Sequence, residues 1–221
     1  MKKFGILGSI AAVSFVLVLA GCSAPVATEP STEALPETVE MPTPTPTPTP
    51  TPILFEWVEF PPYPEGGSQT DAQGNTIKQV GVTAGLHNAD DVPMMKWLVR
   101  GITVDPECTN PGAMAPENGH FVRVDIQGEA YPELAAEAAL GGIPAELFMQ
   151  TWEATDTNGV LTNGQTVTQS SISCLTPGEL IDVNLEPGQR AVGSVVLDLP
   201  ITTGTITMLI SGNGGWSYPL Q

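Results

Sequence analysis

The stretch Phe121-Val122-Arg123-Val124-Asp125-Ile126 alternates apolar and polar residues and decides the fold class. A period of two is typical of a β-strand with one face buried and the other exposed. We therefore predict a strand here. Other short runs rich in β-branched and aromatic residues predict further strands, at residues 97–104, 147–152, 168–174, 179–183, 190–199, 205–210 and 216–220.

Turn-forming residues separate these runs. Asp156-Thr157-Asn158-Gly159 and Asn163-Gly164 tolerate positive φ, and Pro177-Gly178 and Pro187-Gly188 mark tight turns. Many short strands with turns at such spacing indicate an all-β sandwich of about seven or eight strands. Residues 132–140 interrupt the pattern with proline and acid followed by alanines, which predicts one short helical insert.

Three segments resemble a known family. Residues 119–126, 156–159 and 185–200 are similar to the first long strand, the mid-domain hairpin and the Pro-Gly-turn strand of an Ig-like domain family of unknown function. That family is common in Gram-positive surface lipoproteins. The resemblance covers residues 97–220 and implies an immunoglobulin-like β-sandwich outside the cell, on a lipid anchor and a stalk, with no established enzymatic activity. Residues 127–130 depart from the family, whose members commonly have an asparagine-containing turn there.

The N-terminus has the pattern of a secretory signal. Lys2 and Lys3 precede an apolar run over residues 4–19, and Leu19-Ala20-Gly21-Cys22 resembles the lipobox of bacterial lipoproteins. The run is shorter than the roughly 20 residues of a spanning helix, which argues against the alternative of an uncleaved anchor. We predict a signal peptide over residues 1–21 and lipidation of Cys22, which places the protein on the outer face of the cytoplasmic membrane.

Residues 22–52 form a predicted Thr/Pro-rich, disordered linker. Its alternating prolines favour extended polyproline II, which suits a stalk. A proline-rich ligand for a recognition domain is the alternative, and glycosylation of the threonines is a hypothesis from composition. Residues 53–96 are expected to be an irregular N-terminal extension of the domain, and residues 97–221 the sandwich itself.

Charge and cysteine usage agree with this location. The net charge is −17, and cleavage would remove Lys2 and Lys3 but no acid, which argues against nucleic acid and anionic lipid headgroups as partners. If Cys22 is lipidated, Cys108 and Cys174 remain as an even pair in an oxidising compartment, and we predict that they form a disulfide. The alternative is two buried free thiols.

No catalytic constellation is apparent, and we expect no enzyme, no cofactor and no metal site. The two histidines, His87 and His120, lack zinc-ligand spacing, and His120 is interpreted as a strand-end residue. Residues 156–159 resemble a calcium loop only superficially and are interpreted as a hairpin turn. Asp90-Asp91 and Asp105 with Glu107 are interpreted as solvated acids.

The tryptophans offer the remaining candidates for binding. Trp97 and Trp152 are expected in the core, as are Met94 and Met95. Trp57 follows the stalk between Phe55 and Phe60, and this segment is expected to dock as an edge strand, the alternative being an exposed adhesive patch.

The sequence therefore predicts a lipid-anchored, non-catalytic interaction module. It is expected to be monomeric, with an envelope protein or glycan as partner, but the binding residues are not specified. The alternative is an extracytoplasmic cation- or solute-binding accessory protein of a membrane complex, and an envelope hydrolase ranks third. A pocket would favour the carrier, and a flat apolar patch the interaction module.

Overall fold

The computed structural model describes residues 55–64, 68–135, 152–162, 164–182, 185–209 and 214–221. These contain eight strands and one helix. In chain order they are β1 (Thr76–Ile77), β2 (Thr83–His87), β3 (Pro93–Val104), β4 (His120–Ala130), β5 (Trp152–Thr155), α1 (Gln169–Cys174), β6 (Arg190–Leu199), β7 (Gly204–Leu209) and β8 (Gly215–Leu220).

The strands form two four-stranded sheets. The first sheet has the order β1-β8-β7-β5 and the second sheet the order β2-β3-β4-β6. Neighbouring strands are antiparallel throughout, except that β1 runs parallel to β8. This arrangement confirms the predicted all-β sandwich.

The alternation in β4 shows why this sequence forms a sheet with one buried face. Val122, Val124 and Ile126 are fully buried in the core between the sheets, whereas Arg123 and Asp125 lie on the outer face. In β3 a bulge between Val99 and Gly101 interrupts the register with β4. Such bulges bend a strand and change the direction of its side chains.

Aromatic residues join the two sheets. Trp97 of the second sheet packs edge-to-face on Trp216 of the first, with ring centroids 4.6 Å apart. The Trp97 indole N–H also donates to the Tyr218 hydroxyl at 3.2 Å. Because a buried indole and a buried phenol each need a hydrogen-bond partner, this pair satisfies both inside an otherwise apolar core.

The residues expected in the core are there. Trp97, Trp152, Met94 and Met95 are all buried. Strands predicted at 97–104, 121–126, 190–199, 205–210 and 216–220 correspond to β3, β4, β6, β7 and β8. Of the strand predicted at 147–152, only Trp152 belongs to the described residues, where it begins β5.

The strand predicted at 168–174 is wrong, because these residues form α1. Thr168 caps the helix: its hydroxyl accepts from the Ser171 N–H at 3.1 Å, and the Ser171 hydroxyl accepts from the Thr168 N–H at 3.0 Å. This reciprocal capping satisfies donors at the helix start and outweighs the weak β-like pattern. The strand predicted at 179–183 is also wrong within the described residues, because only an isolated bridge from Leu180 to Ser194 forms there.

The region before Trp97 is more regular than predicted. β1, β2 and the start of β3 lie within residues 53–96, which were expected to be irregular, and β2 and β3 are adjacent in the second sheet. The glycine-rich and polar sequence there gives no alternating pattern from which to predict strands. These short strands form because they pair with neighbouring strands of the sheet. Of the predicted helical insert, Leu134 and Ala135 are helical, and residues 136–140 lie outside the described residues.

Candidate binding surfaces

The outer face of the first sheet carries an open groove of about 1050 Å³. The segment 71–79 lies along one side of the groove, and residues 153–161, at β5 and the hairpin after it, lie along the other. The outward side chains of β7 and β8 form the floor, among them Thr205, Thr207, Ser217 and Pro219. We refer to this feature as the groove.

A hydrogen-bonded chain holds the first side of the groove in place. The Ser217 hydroxyl donates to a carboxylate oxygen of Asp71 at 2.7 Å, and Thr207 and Ser217 hydroxyls lie 3.1 Å apart. Asp71 also accepts from the N–H groups of Gln73 and Asn75. Desolvation alone would raise the pKa of Asp71, but these hydrogen bonds together hold it below its ordinary value. Asp71 is therefore a fixed anion that shapes the groove.

The second side is a tight hairpin. Asp156 accepts from the N–H groups of Asn158 and Val160, each at 2.8 Å, and Gly159 has a φ of 81°. The backbone hydrogen bond with Val160, together with those from Asn158, lowers the pKa of Asp156. The interpretation of residues 156–159 as a hairpin turn is confirmed. A Cβ at Gly204 would clash with the Thr155 carbonyl oxygen, so glycine is needed where β7 meets this hairpin.

The groove offers hydroxyls, amides and carboxylates between the apolar side chains of Ile77 and Leu161, which are 43% and 48% exposed. Such a surface can hold a ligand by hydrogen bonds and apolar contact. The histidines lie elsewhere. His87 ends β2 beside the ring of Tyr63, and His120 begins β4 and pairs with Asp105 at 3.0 Å. Ser217 and Asp71 therefore have no imidazole with which to act as a nucleophilic triad within the described residues.

The outer face of the second sheet is covered at one end by α1. Phe121, Val196, Cys174 and Leu175 form a small second core there, against which Cys108 packs. Cys108 and Cys174 form a disulfide, as predicted from the cysteine count. Beside it Glu179, fully buried, accepts from the hydroxyls of Thr109 and Thr176.

A polar network continues from Glu179 along the same face. Arg123 lies 3.7 Å from Glu179 and 2.7 Å from Asp125, and it also donates to the Ser194 hydroxyl. The guanidinium therefore lies between two carboxylates, and a buried guanidinium requires such partners. The network is structural, because each carboxylate is already engaged.

The other end of this face is covered by residues 55–64, which we call the strap. Gln127, fully buried in β4, donates to the Val58 carbonyl at 2.7 Å and accepts from the Val58 N–H at 3.3 Å. Arg100 donates to the Glu56 carbonyl, and the Thr83 hydroxyl donates to the Pro61 carbonyl. The segment docks, as predicted, but the predicted edge strand is wrong, because the strap lies across the face and pairs with no strand.

Most cations of the chain meet the aromatic rings of the strap. Arg100 and Arg123 lie 5.4 and 5.3 Å from the Phe55 ring, Arg190 lies 5.0 Å from the Trp57 ring, and Lys96 lies 5.6 Å from the Tyr63 ring. After residue 21 the sequence has one further basic residue, Lys78. This convergence was not predicted from the sequence, although the alternation of Phe55 and Trp57 with Glu56 indicated a segment that docks.

Two donors at this interface are left unsatisfied. In the described part of the chain, the buried side-chain nitrogens without a hydrogen-bond partner are Trp57 Nε1 and Arg123 Nη2. Both belong to the contact between the strap and the second sheet. A buried donor without an acceptor costs about 1–3 kcal/mol, so these two groups weaken the docking of the strap on the second sheet.

The other predicted site residues remain apart. Asp105 pairs with His120, and Asp90-Asp91 form an exposed turn after β2. Among the residues the structure describes, no group of three or more His, Cys, Asp or Glu side chains could hold a metal ion. The same residues include no helix long and apolar enough to cross a membrane. Cys22 and the 22–52 linker lie outside the described residues.

Together these features define a β-sandwich domain with a disulfide-linked helix and a strap on one face and an open groove on the other. A solved structure with which it shares similarity is that of MPT63, a secreted protein from Mycobacterium tuberculosis. The two are 12% identical with a TM-score of 0.42, over 66% of this chain and 97% of that chain. No protein-family model and no curated protein match the sequence. At this TM-score the likeness to MPT63 carries no functional argument.

Proposed function

We propose that this chain is a lipid-anchored, extracytoplasmic binding domain with no catalytic role, and that its partner binds in the groove. The groove is the observation that supports the proposal. Of the two outer sheet faces, the second is covered by α1 and the strap, whereas the first presents hydroxyls and carboxylates beside exposed apolar side chains. Ligand-binding sites combine apolar surface with polar groups of this kind.

The sequence supports the proposed location. Residues 1–22 support export and lipidation, and the Thr/Pro-rich linker supports a domain carried away from the membrane surface. The resemblance to the Ig-like lipoprotein family points to the same Gram-positive setting. The partner class is an envelope protein or glycan within reach of the stalk. The alternative, a cation- or solute-binding accessory protein, is less well supported. The groove is open rather than an enclosed cavity, which suits a protein or glycan better than a small solute, and no group of three or more His, Cys, Asp or Glu side chains among the described residues could hold a cation.

The anchor is tested by Cys22→Ala. The variant is expected to leave the membrane fraction and appear in the medium, because the lipid attachment site is gone. Ser23→Ala, at the neighbouring position, keeps Cys22 and is the matched control, which is expected to remain in the membrane fraction. Full retention of Cys22→Ala in membranes would contradict the lipid anchor.

The groove is tested by photo-crosslinking on live cells. A photoreactive residue at Glu153, exposed at the groove, is expected to capture a defined partner, and Thr205→Arg in the same chain is expected to abolish that capture by filling the floor. The same photoreactive residue at Met114, which is 43% exposed and away from the groove, is the control. Identical capture from Glu153 and Met114 would contradict the proposal.

A further inference from the structure

We propose that the strap is an intramolecular ligand of the second sheet, and that an extended acidic and aromatic peptide of a partner displaces it. This surface is distinct from the groove, and the inference does not depend on the groove. It rests on how the strap is held, on the charges it covers and on the donors it leaves unsatisfied.

The second sheet is complete without the strap. β2, β3, β4 and β6 pair with one another, and the strap contributes no strand to them. Its main-chain hydrogen bonds go to side chains instead, those of Gln127, Arg100 and Thr83. The strap can therefore leave without breaking any sheet hydrogen bond, which is the property of a bound peptide rather than of a core element.

The face beneath the strap selects for aromatic rings. Phe55 lies between Arg100 and Arg123, at 5.4 and 5.3 Å, and Trp57 lies on Arg190. Each such contact contributes about 0.5–1 kcal/mol at an exposed site, so several in register form a specific but weak clamp. An aromatic residue at every second position of an extended peptide matches this spacing.

The same face selects for negative charge. Among the described residues no carboxylate lies within ion-pair distance of Lys96 or Arg100, although Arg123 and Arg190 are paired. Glu56 of the strap contacts Arg100 through its backbone carbonyl. The pKa of Arg190 is raised first by its hydrogen bond to Glu129 and to a smaller extent by the charge of Glu59 in the strap. Charge complementarity therefore favours a peptide with carboxylates between its aromatic residues.

The unsatisfied donors make the closed state displaceable. Trp57 Nε1 and Arg123 Nη2 lack acceptors while the strap is docked. Release lets water satisfy both groups, and a partner that supplies an acceptor to Arg123 gains an interaction that the strap does not provide. The strap is covalently joined to the domain through residues 65–67, so its effective concentration at the second sheet is on the order of millimolar. A partner peptide must overcome this effective concentration to displace the strap.

The test uses the full-length mature chain and a fluorescein-labelled peptide of residues 53–64. The strap variant Phe55→Ala/Trp57→Ala is expected to bind this peptide at least tenfold more tightly than wild type, because its own strap no longer competes. Val160→Ala, at a 61% exposed position off the strap, is the matched control and is expected to behave as wild type. Adding Arg190→Gln to the strap variant is expected to lose the binding.

Three outcomes would overturn the proposal. One is no binding of the peptide to the strap variant at millimolar concentration. Another is equal affinity of wild type and the strap variant. The third is failure of the strap variant to fold, because the strap would then be part of the core.

Hydrogen exchange on the wild-type protein gives an independent readout. The Val58 amide, bonded to Gln127, is expected to exchange at least tenfold faster than the amides of β4, because strap release does not require opening of the sheet. Equal protection of Val58 and β4 would show that the strap opens only with the whole domain, and would also overturn the proposal.

Discussion

At the residue scale, Lys78 is the one lysine or arginine among the described residues that does not lie over an aromatic ring of the strap. Lys78 is 8% exposed, and its ammonium group donates a hydrogen bond to the Thr83 carbonyl at 3.3 Å. Desolvation lowers the pKa of Lys78 below its ordinary value of 10.5. The aliphatic stem of Lys78 stabilises the fold by packing in this buried position. Its buried charge, in contrast, lowers the free energy of unfolding.

Lys78→Met tests this separation of stem and charge. Because the folded state binds the lysine proton more weakly than the unfolded state, wild-type stability from this group rises with pH between its lowered pKa and 10.5. The variant lacks that rise. Its free energy of unfolding at pH 7 is expected to equal that of wild type or exceed it by about 1 kcal/mol. Denaturant titrations of both proteins at pH 7 and pH 9.5 measure the change in the free energy of unfolding with pH. Burial raises the pKa of Tyr218, but this tyrosine is present in both proteins, so its effect cancels in the comparison. A loss above 2 kcal/mol at pH 7 would contradict the interpretation.

Gln127→Met tests the strap at a single residue. The substitution keeps the side-chain volume but removes both hydrogen bonds to Val58, so exchange of the Val58 amide is expected to rise about tenfold while β4 remains protected. Gln189→Met, in an exposed turn, is the control. Unchanged exchange at Val58 would mean that these hydrogen bonds do not hold the strap.

At the element scale, α1 depends on its cap. Thr168 accepts from Ser171 and also donates to the Asp198 carboxylate at 2.9 Å, so one hydroxyl joins the helix to β6. Thr168→Ala is expected to lower the free energy of unfolding by about 1–2 kcal/mol, and Thr168→Ser to lower it much less. Chemical denaturation measures both, and equal effects of the two substitutions would contradict the capping role.

The disulfide ties α1 to the loop after β3. Its 66-residue separation predicts a contribution of about 4 kcal/mol on loop-closure grounds. Cys108→Ala/Cys174→Ala is expected to lose this stability while the main core keeps its near-ultraviolet signal, because Trp97 and Trp216 pack elsewhere. An unchanged denaturation midpoint would show that the bond contributes nothing.

Strands whose own residues show a clear β-strand pattern could be predicted from the sequence. β4 alternates apolar and polar residues over 121–126, and β6 is rich in valine, so both strands were predictable from local sequence, and β6 has the predicted bounds. α1 was not predicted, because its six residues carry a weak β-like pattern and its cap depends on two hydroxyls meeting in space. β1 and β2 were missed because short strands depend on their partners in the sheet.

At the scale of the whole molecule, the two outer faces differ in what covers them. The cations at positions 96, 100, 123 and 190 are far apart in sequence, and only the assembled sheet brings them under one strap. The groove likewise combines segment 71–79 with β5, β7 and β8. No periodicity or motif encodes such long-range proximity, which is why neither surface was specified by the sequence.

The most direct test of the groove as the binding surface is hydroxyl-radical footprinting of the protein on cells and after purification. Ile77 and Leu161, at the groove, are 43% and 48% exposed, and Met114, away from it, is 43% exposed. With each residue compared with itself, modification of Ile77 and Leu161 is expected to fall severalfold on cells while that of Met114 stays constant. Equal modification of Ile77 and Leu161 in both settings, or protection of Met114 alone, would contradict the proposed function.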